Sequence, residues 1–318
     1  MSAASSQDIR ITSATQASSS NADSEPARKP APSPSHPALR PFKPFLYLDS
    51  AASSSSTPLS NLLILLPGLG DSPKAYASLA TQFQRTLPQT AILILRPTDP
   101  IPFLAEPDDD PDQVPQAWWN AFDTLTGDTL PPSAQNPGPC IDRLSNLLDY
   151  LAGPIQSSPS LSSGCGWPPH AIHLFGYGQG GTAALETAIA WTRKRRIRSG
   201  LQAERELGSI VSVCGPLLSS SGGNQAPKRC AIPILSVVRH PNADTNSVHA
   251  TSERKRLRSV FDPAASKDTQ LVVFRGNGDA MLQGKAEFDV LMKFWSSTAT
   301  WRNRSSWEVK DEGVYRVV

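Results

Sequence analysis

The sequence predicts an α/β fold built on one doubly wound, mostly parallel sheet. Two observations carry that reading. Five runs of five to seven mostly apolar residues (62–66, 91–95, 171–175, 210–214 and 232–238) read as strands, and two of them, 62–66 and 91–95, are continuous rather than alternating, as in strands buried on both faces. Between them lie longer segments with helical spacing of apolar residues, so strands and helices alternate along the chain. Over 318 residues the hydrophobic fraction is 39% and there are 30 prolines, which fits one packed domain with polar extensions rather than two cores.

In chain order, residues 1–41 form an expected disordered tail: Ser, Pro or Ala fills 23 of the first 40 positions, too little apolar surface to offset the ordering entropy. The domain is expected over 42–297. Phe45–Leu48 is a first strand, residues 51–56 a Ser-rich loop, and Leu62–Leu66 a strand stopped by Pro67 and Gly68. A helix over Lys74–Thr86 leads to a strand at Ala91–Leu95. Residues 98–139 read as a long Pro-rich insertion or lid. Ile141, Leu144, Leu147, Leu148 and Leu151 share one helical face. Then come a strand at Ala171–Phe175, a helix from Gln179 to Arg196, strands at Ile210–Cys214, Ile232–Val238 and Leu271–Phe274, and helices near Ser252–Phe261 and Ala286–Trp295. Residues 298–318 form a C-terminal extension whose Trp301, Trp307 and Tyr315 are expected to dock on the domain or on a partner.

A net charge of +2 names no partner, and no nucleic acid is expected. No run approaches the ~20 apolar residues that span a bilayer, and the first residues lack a secretory apolar core, so the cytoplasm is expected, with the nucleus as alternative. Cys140, Cys165, Cys214 and Cys230 are too scattered for a zinc site and read as free thiols. Neither metal nor cofactor is expected.

The chemistry concentrates in Gly176-Tyr177-Gly178-Gln179-Gly180-Gly181, between a predicted strand and a predicted helix. This is the context of a nucleophile elbow, G-x-S-x-G, whose glycines allow a strand and helix to meet closely. The central position is Gly178, so no hydroxyl is presented. A dinucleotide loop is the alternative, but GxGxGG is not GxGxxG and the turn follows a middle strand.

Leu65–Ala75 (LLPGLGDSPKA) resembles the loop of acyl-protein thioesterases that reads His-Gly-Leu-Gly-Asp, and Gly176–Gly181 is similar to that family's Gly-Phe-Ser-Gln-Gly-Gly. Trp118-Trp119-Asn120-Ala121-Phe122-Asp123 echoes its Trp-Phe-Asp. The resemblance implies an α/β-hydrolase of the phospholipase/carboxylesterase type. It also implies that the Leu69 and Gln179 amides form the oxyanion hole, with Trp119 as a further ligand contact. It places the triad acid after the strand 232–238, with Asp244 nearest, and the triad histidine where Phe274–Ala280 offers Asp279. The last histidine of the chain is His249. A serine hydrolase needs a nucleophile and an adjacent base. The expectation is therefore a catalytically degenerate member that binds an acyl or ester ligand or an acylated protein. The alternative is an active ester or thioester hydrolase with a rearranged site.

The remaining features have plainer readings. His240 is a displaced base only as a minority reading, and His173, inside a strand, is structural. Asp244 and Asp279 as a working carboxylate pair yield to two solvated loop acids, and Cys214 to a small core residue. The cluster Arg193–Arg198 is explained first by helix C-terminal electrostatics; for it and for the second cluster, Arg254–Arg258, nuclear import or an acidic partner is a minority reading. The acidic run 106–112 reads as a solvated loop.

Overall fold

The computed structural model describes residues 29–49, 59–101, 104, 114–131, 134–155, 163–199, 206–218, 229–261, 269–297 and 301. The Ser-rich loop 51–56, the acidic run, Trp307 and Tyr315 lie outside them.

Among the described residues nine strands and five helices carry the fold: β1 (Leu46–Leu48), β2 (Asn61–Leu66), α1 (Ala77–Thr86), β3 (Thr90–Ile94), β4 (Asp99–Pro100), β5 (Gln116–Ala117), α2 (Gly138–Ala152), β6 (Ile172–Tyr177), α3 (Gln179–Ser199), β7 (Ser209–Val213), β8 (Ile234–His240), α4 (Val248–Val260), β9 (Thr269–Arg275) and α5 (Gly284–Ser297). Seven strands form one sheet in the order β1-β3-β2-β6-β7-β8-β9. All its pairings are parallel except the edge pair β1–β3. The α/β-hydrolase architecture expected from the sequence is the one observed.

Side chains alternate across the sheet as strand geometry requires. Leu62, Ile64 and Leu66 join a core with Leu144, Leu147 and Leu148 of α2 and Ala184, Leu185 and Ala188 of α3. Leu63 and Leu65 point the other way, toward Phe83 of α1 and Leu291, Phe294 and Trp295 of α5. Each such fully buried side chain contributes ~1.5–3 kcal/mol relative to exposure.

Several boundaries differ from expectation for local reasons. The first turn of the 74–86 helix, Pro73–Tyr76, is 3₁₀. The helix expected near Ser252 starts at Val248, because the Ser247 side chain accepts a hydrogen bond from the Ala250 amide. The insertion contains a small hairpin-like pair, β4 with β5. The expected tail ends earlier than residue 41. Leu39 and Phe42 are fully buried, Phe42 lies 6.3 Å from the Trp118 ring, and His36 stacks on Tyr150 at 3.6 Å. Two large apolar side chains suffice to pin this stretch.

The four cysteines are buried free thiols. Among the described residues no helix is long and apolar enough to cross a membrane. At the amino-terminal end of the sheet, His173 bonds Ser209 Oγ (2.8 Å) and Asn61 Oδ1 (3.4 Å), all three fully buried. Burial pushes the His173 pKa down to about 3, so it is neutral and structural, as the sequence reading has it. Trp301 stacks on Trp295 (4.7 Å) and lies tilted against His173 (4.1 Å), so the first aromatic of the C-terminal extension docks on the domain.

Candidate functional site

Two loops meet at the carboxyl edge of the sheet because their parent strands are hydrogen-bonded neighbours. Leu66 of β2 pairs with Gly176 of β6, so the segment Pro67-Gly68-Leu69 runs beside Tyr177-Gly178-Gln179. The contact is close enough to dictate composition. A Cβ on Gly180 would lie 2.2 Å from the Leu66 carbonyl oxygen, and one on Gly176 would lie 2.2 Å from the Gly180 carbonyl oxygen. These backbones can meet only if both positions are glycine.

Gly178 differs from both. Its φ is +52°, in the left-handed region, yet an added Cβ would meet nothing within 4 Å. Its amide donates to the Val213 carbonyl (2.8 Å), and its own carbonyl accepts from Gly181 and Thr182. The turn is fully tied down and projects into open space at the point where the elbow motif expects a serine.

Leu69 is 40% exposed at the rim, and Gln179 opens α3. Neither backbone amide donates to an acceptor among the described residues, which leaves both available to a ligand oxygen at the positive end of a 21-residue helix. Asp71 holds the Leu69 loop: its Oδ2 accepts from the Gly68 amide (3.1 Å) and from the Tyr76 hydroxyl (2.9 Å). Burial, then the Asp71 charge, pushes the Tyr76 hydroxyl far above its ordinary pKa, so it remains a donor.

The Gln179 side chain faces the insertion. Oε1 accepts from the Trp118 amide (2.7 Å), Nε2 donates to the Trp119 carbonyl (2.9 Å), and Trp118 Nε1 donates to the Pro67 carbonyl (2.8 Å). The two tryptophans thus clamp the elbow to the Leu69 loop. Trp119 is 3% exposed with its indole nitrogen on Gln135 (2.9 Å), so its ring packs in the core.

The expected acid and base positions lie in two separate loops at the carboxyl edge, after β8 and after β9. Asp279 lies near the elbow: its charge, with that of Cys214, acts on Tyr177, which is half-buried beside Gly178. Burial holds the Asp279 carboxyl above its ordinary range, with His249 pulling the other way. Asp244 is exposed in the turn after β8 and spends Oδ1 on the Asn246 amide (2.8 Å), with no link to Asp279. His240 pairs in register with Arg275, three residues beyond the Val213–Val237 level and two strands from β6, a lateral offset of ~10 Å.

Sequence reasoning missed the group that organises this sector, Arg239. Its side chain is 3% exposed and all its donors are engaged. Nη1 and Nη2 bond Glu287 (3.0 and 2.8 Å), Nε the Ala280 carbonyl (3.0 Å), Nη2 also the Met281 carbonyl (2.6 Å), and Nη1 the Arg275 carbonyl (3.3 Å). A buried ion pair therefore anchors the loop that carries Asp279. The signal was a charge inside an apolar strand, Val-Val-Arg-His, with its partner 48 residues away. Beside it Cys214 holds φ +57°, rare for a residue with a Cβ, with Sγ 3.5 Å from the Ala280 carbonyl; burial pushes its thiol up.

No family model matches the chain. It is 35% identical over 264 residues to an uncharacterised hydrolase of Mycosarcoma maydis, covering 82% of this chain and 84% of that protein. Among solved structures it is similar to Zea mays acyl-protein thioesterase 2, with TM-score 0.50 and 17% identity over 80% of this chain and 97% of that one. It is also similar to the esterase PE8, with TM-score 0.49, 18% identity and the same coverage. The chain belongs to one family with the M. maydis hydrolase and shares the α/β-hydrolase fold of acyl-protein thioesterase 2.

Proposed function

We propose that this hydrolase-family chain no longer hydrolyses: it uses the former oxyanion cradle to hold an acyl carbonyl or carboxylate. The observation that carries the proposal is Gly178, a fully tied elbow turn at φ +52° with empty space where a nucleophile side chain belongs. The unengaged Leu69 and Gln179 amides supply the acceptor site for a ligand oxygen. Against a base role, His240 stands two strands from β6, and His249, which acts on Asp279 in the loop where the resemblance expects the histidine, is hydrogen-bonded to no nucleophile among the described residues. An oxyanion hole without nucleophile and base leaves ~10³–10⁴-fold acceleration over water, far short of turnover. The ligand class is an ester, a fatty acid or an acylated protein, and the cytoplasm is the compartment assigned.

A second reading, an active ester or thioester hydrolase, has one specific observation in its favour. Cys214 sits strained at φ +57° beside Asp279, which itself feels His249. Its raised thiol pKa weighs against it as a nucleophile. A fluorophosphonate probe and iodoacetamide, each followed by peptide mapping, separate the readings. The inert reading expects no labelled serine and no rapid alkylation of Cys214, and Gly178→Ser alone stays at background on p-nitrophenyl acetate. Labelling of either nucleophile with loss of esterase activity would establish the second.

A further inference from the structure

Two basic helix ends that lie sixty residues apart in sequence, those of α3 and α4, meet at one end of the molecule. The final turns of α3 carry Arg193, Lys194, Arg195 and Arg196, and α4 carries Arg254, Lys255, Arg256 and Arg258. Arg196 donates to the Arg229 carbonyl (3.0 Å); the next residue, Cys230, forms a parallel bridge with Phe261 and donates to the Val260 carbonyl at the end of α4. Helices after parallel strands run back toward the amino edge of the sheet, so this end is opposite the elbow.

The helix dipole does not account for so much charge. A helix C-terminus carries about half an elementary negative charge, whereas seven cations (Arg193, Lys194, Arg195, Arg196, Arg229, Lys255 and Arg258) lie toward this end, Arg254 and Arg256 reaching back to the Thr245 and Leu217 carbonyls on the elbow side. Of the carboxylates bordering them among the described residues, Glu206 is paired with Arg196, Asp149 accepts from the Trp191 indole nitrogen (2.8 Å) beneath Arg195, and Glu253 is buried with Oε1 on the Leu217 amide. The whole chain is only +2, so the remainder is net negative and the charge is segregated. Lys255, Arg256 and Arg258 are exposed, and Ile197, at the end of the α3 cluster, is 83% exposed. An exposed aliphatic side chain among cations matches a lipid interface. A nucleic-acid strand would favour aromatic platforms, and the aromatics here among the described residues, Trp191 under Arg195 and Phe261, are buried.

We propose that this end of the molecule docks on an anionic bilayer surface, the cations reading lipid phosphates and carboxylates and Ile197 entering the interface, with the elbow facing away from the membrane. The test is co-sedimentation of the full chain with vesicles of phosphatidylcholine containing 30% phosphatidylserine, against phosphatidylcholine alone. Binding is expected only to the anionic vesicles and is lost at 1 M salt, where the screening length falls from about 10 Å to about 3 Å. At roughly fivefold per juxtamembrane cation, the double reversal K255E/R258E weakens partitioning at least about twentyfold. The reversal K285E/K293E, equal in charge but on α5, leaves it within about threefold, and Ile197→Ser weakens it. Equal binding to neutral vesicles, equal loss in both reversal pairs, or retention on duplex DNA with no vesicle binding would each overturn the proposal.

Discussion

Removing the Glu287 carboxylate tests whether the Arg239 pair organises the loop that bears Asp279. The two side chains are 3% and 15% exposed, so Glu287→Ala leaves a guanidinium buried with only carbonyl partners. Stranding one member of a buried pair costs about 3–5 kcal/mol. For a domain of this size 1 kcal/mol moves Tm by about 2–4 °C, so a fall of roughly 6–20 °C is expected. Replacing both partners with apolar groups, R239M/E287M, removes the desolvation cost together with the attraction and should lie within about 2 kcal/mol of the parent or above it. Acid adds a second readout. Burial alone would raise the Glu287 carboxyl, but the Arg239 hydrogen bonds and the Gln283 amide hold it below its ordinary range. A depressed carboxylate contributes stability that is complete above the unfolded value near 4.3 and is lost as pH falls through the folded one. The parent should therefore lose more stability than R239M/E287M on going from pH 6 to pH 3. Urea unfolding followed by circular dichroism measures both. A Glu287→Ala loss under 1 kcal/mol, or identical acid limbs, would refute the assignment of this pair as the anchor.

Gln179→Ala strips the acceptor of the Trp118 amide and the donor to the Trp119 carbonyl; a loss of about 2–4 kcal/mol with altered tryptophan fluorescence is expected. Gly180→Ala, whose Cβ would sit 2.2 Å from a carbonyl oxygen, should prevent soluble expression, while Gly178→Ala, strained only in φ, should fold with a cost of ~1–2 kcal/mol; comparable yields for the two would contradict the packing described. His173 is a base held at about 3 against 6.5 unfolded. Its depressed pKa gives stability that is complete above pH 6.5 and declines as pH falls toward 3, by a few kcal/mol; His173→Asn should flatten that part of a stability–pH curve.

The elements of the sheet were legible because a strand buried on both faces writes itself as a continuous apolar run, as at Leu62–Leu66. The elbow was legible because close backbone contact admits only glycine at 176 and 180, whatever occupies 178. What escaped was set by tertiary partners. Arg239 is matched by Glu287 from a different element, and the ends of β8 depend on pairing with β9 out to Arg275, which carried the strand past Val238. The motif around Trp119 did not foretell its tertiary partners: Gln135 takes its indole nitrogen and the core takes its ring. The early end of the tail was also a tertiary matter: only contact with Trp118 and α2 explains why Leu39 and Phe42 are ordered.

The bare α-carbon at Gly178 also makes this molecule a natural host for tethered chemistry. The four native thiols are buried with their pKa values held up, so a Gly178→Cys variant would carry a single accessible sulfur. That sulfur would stand at a helix N-terminus, where thiolate is favoured. Disulfide-capture fragments screened against it would map the cleft's preferred occupant directly, atom class by atom class.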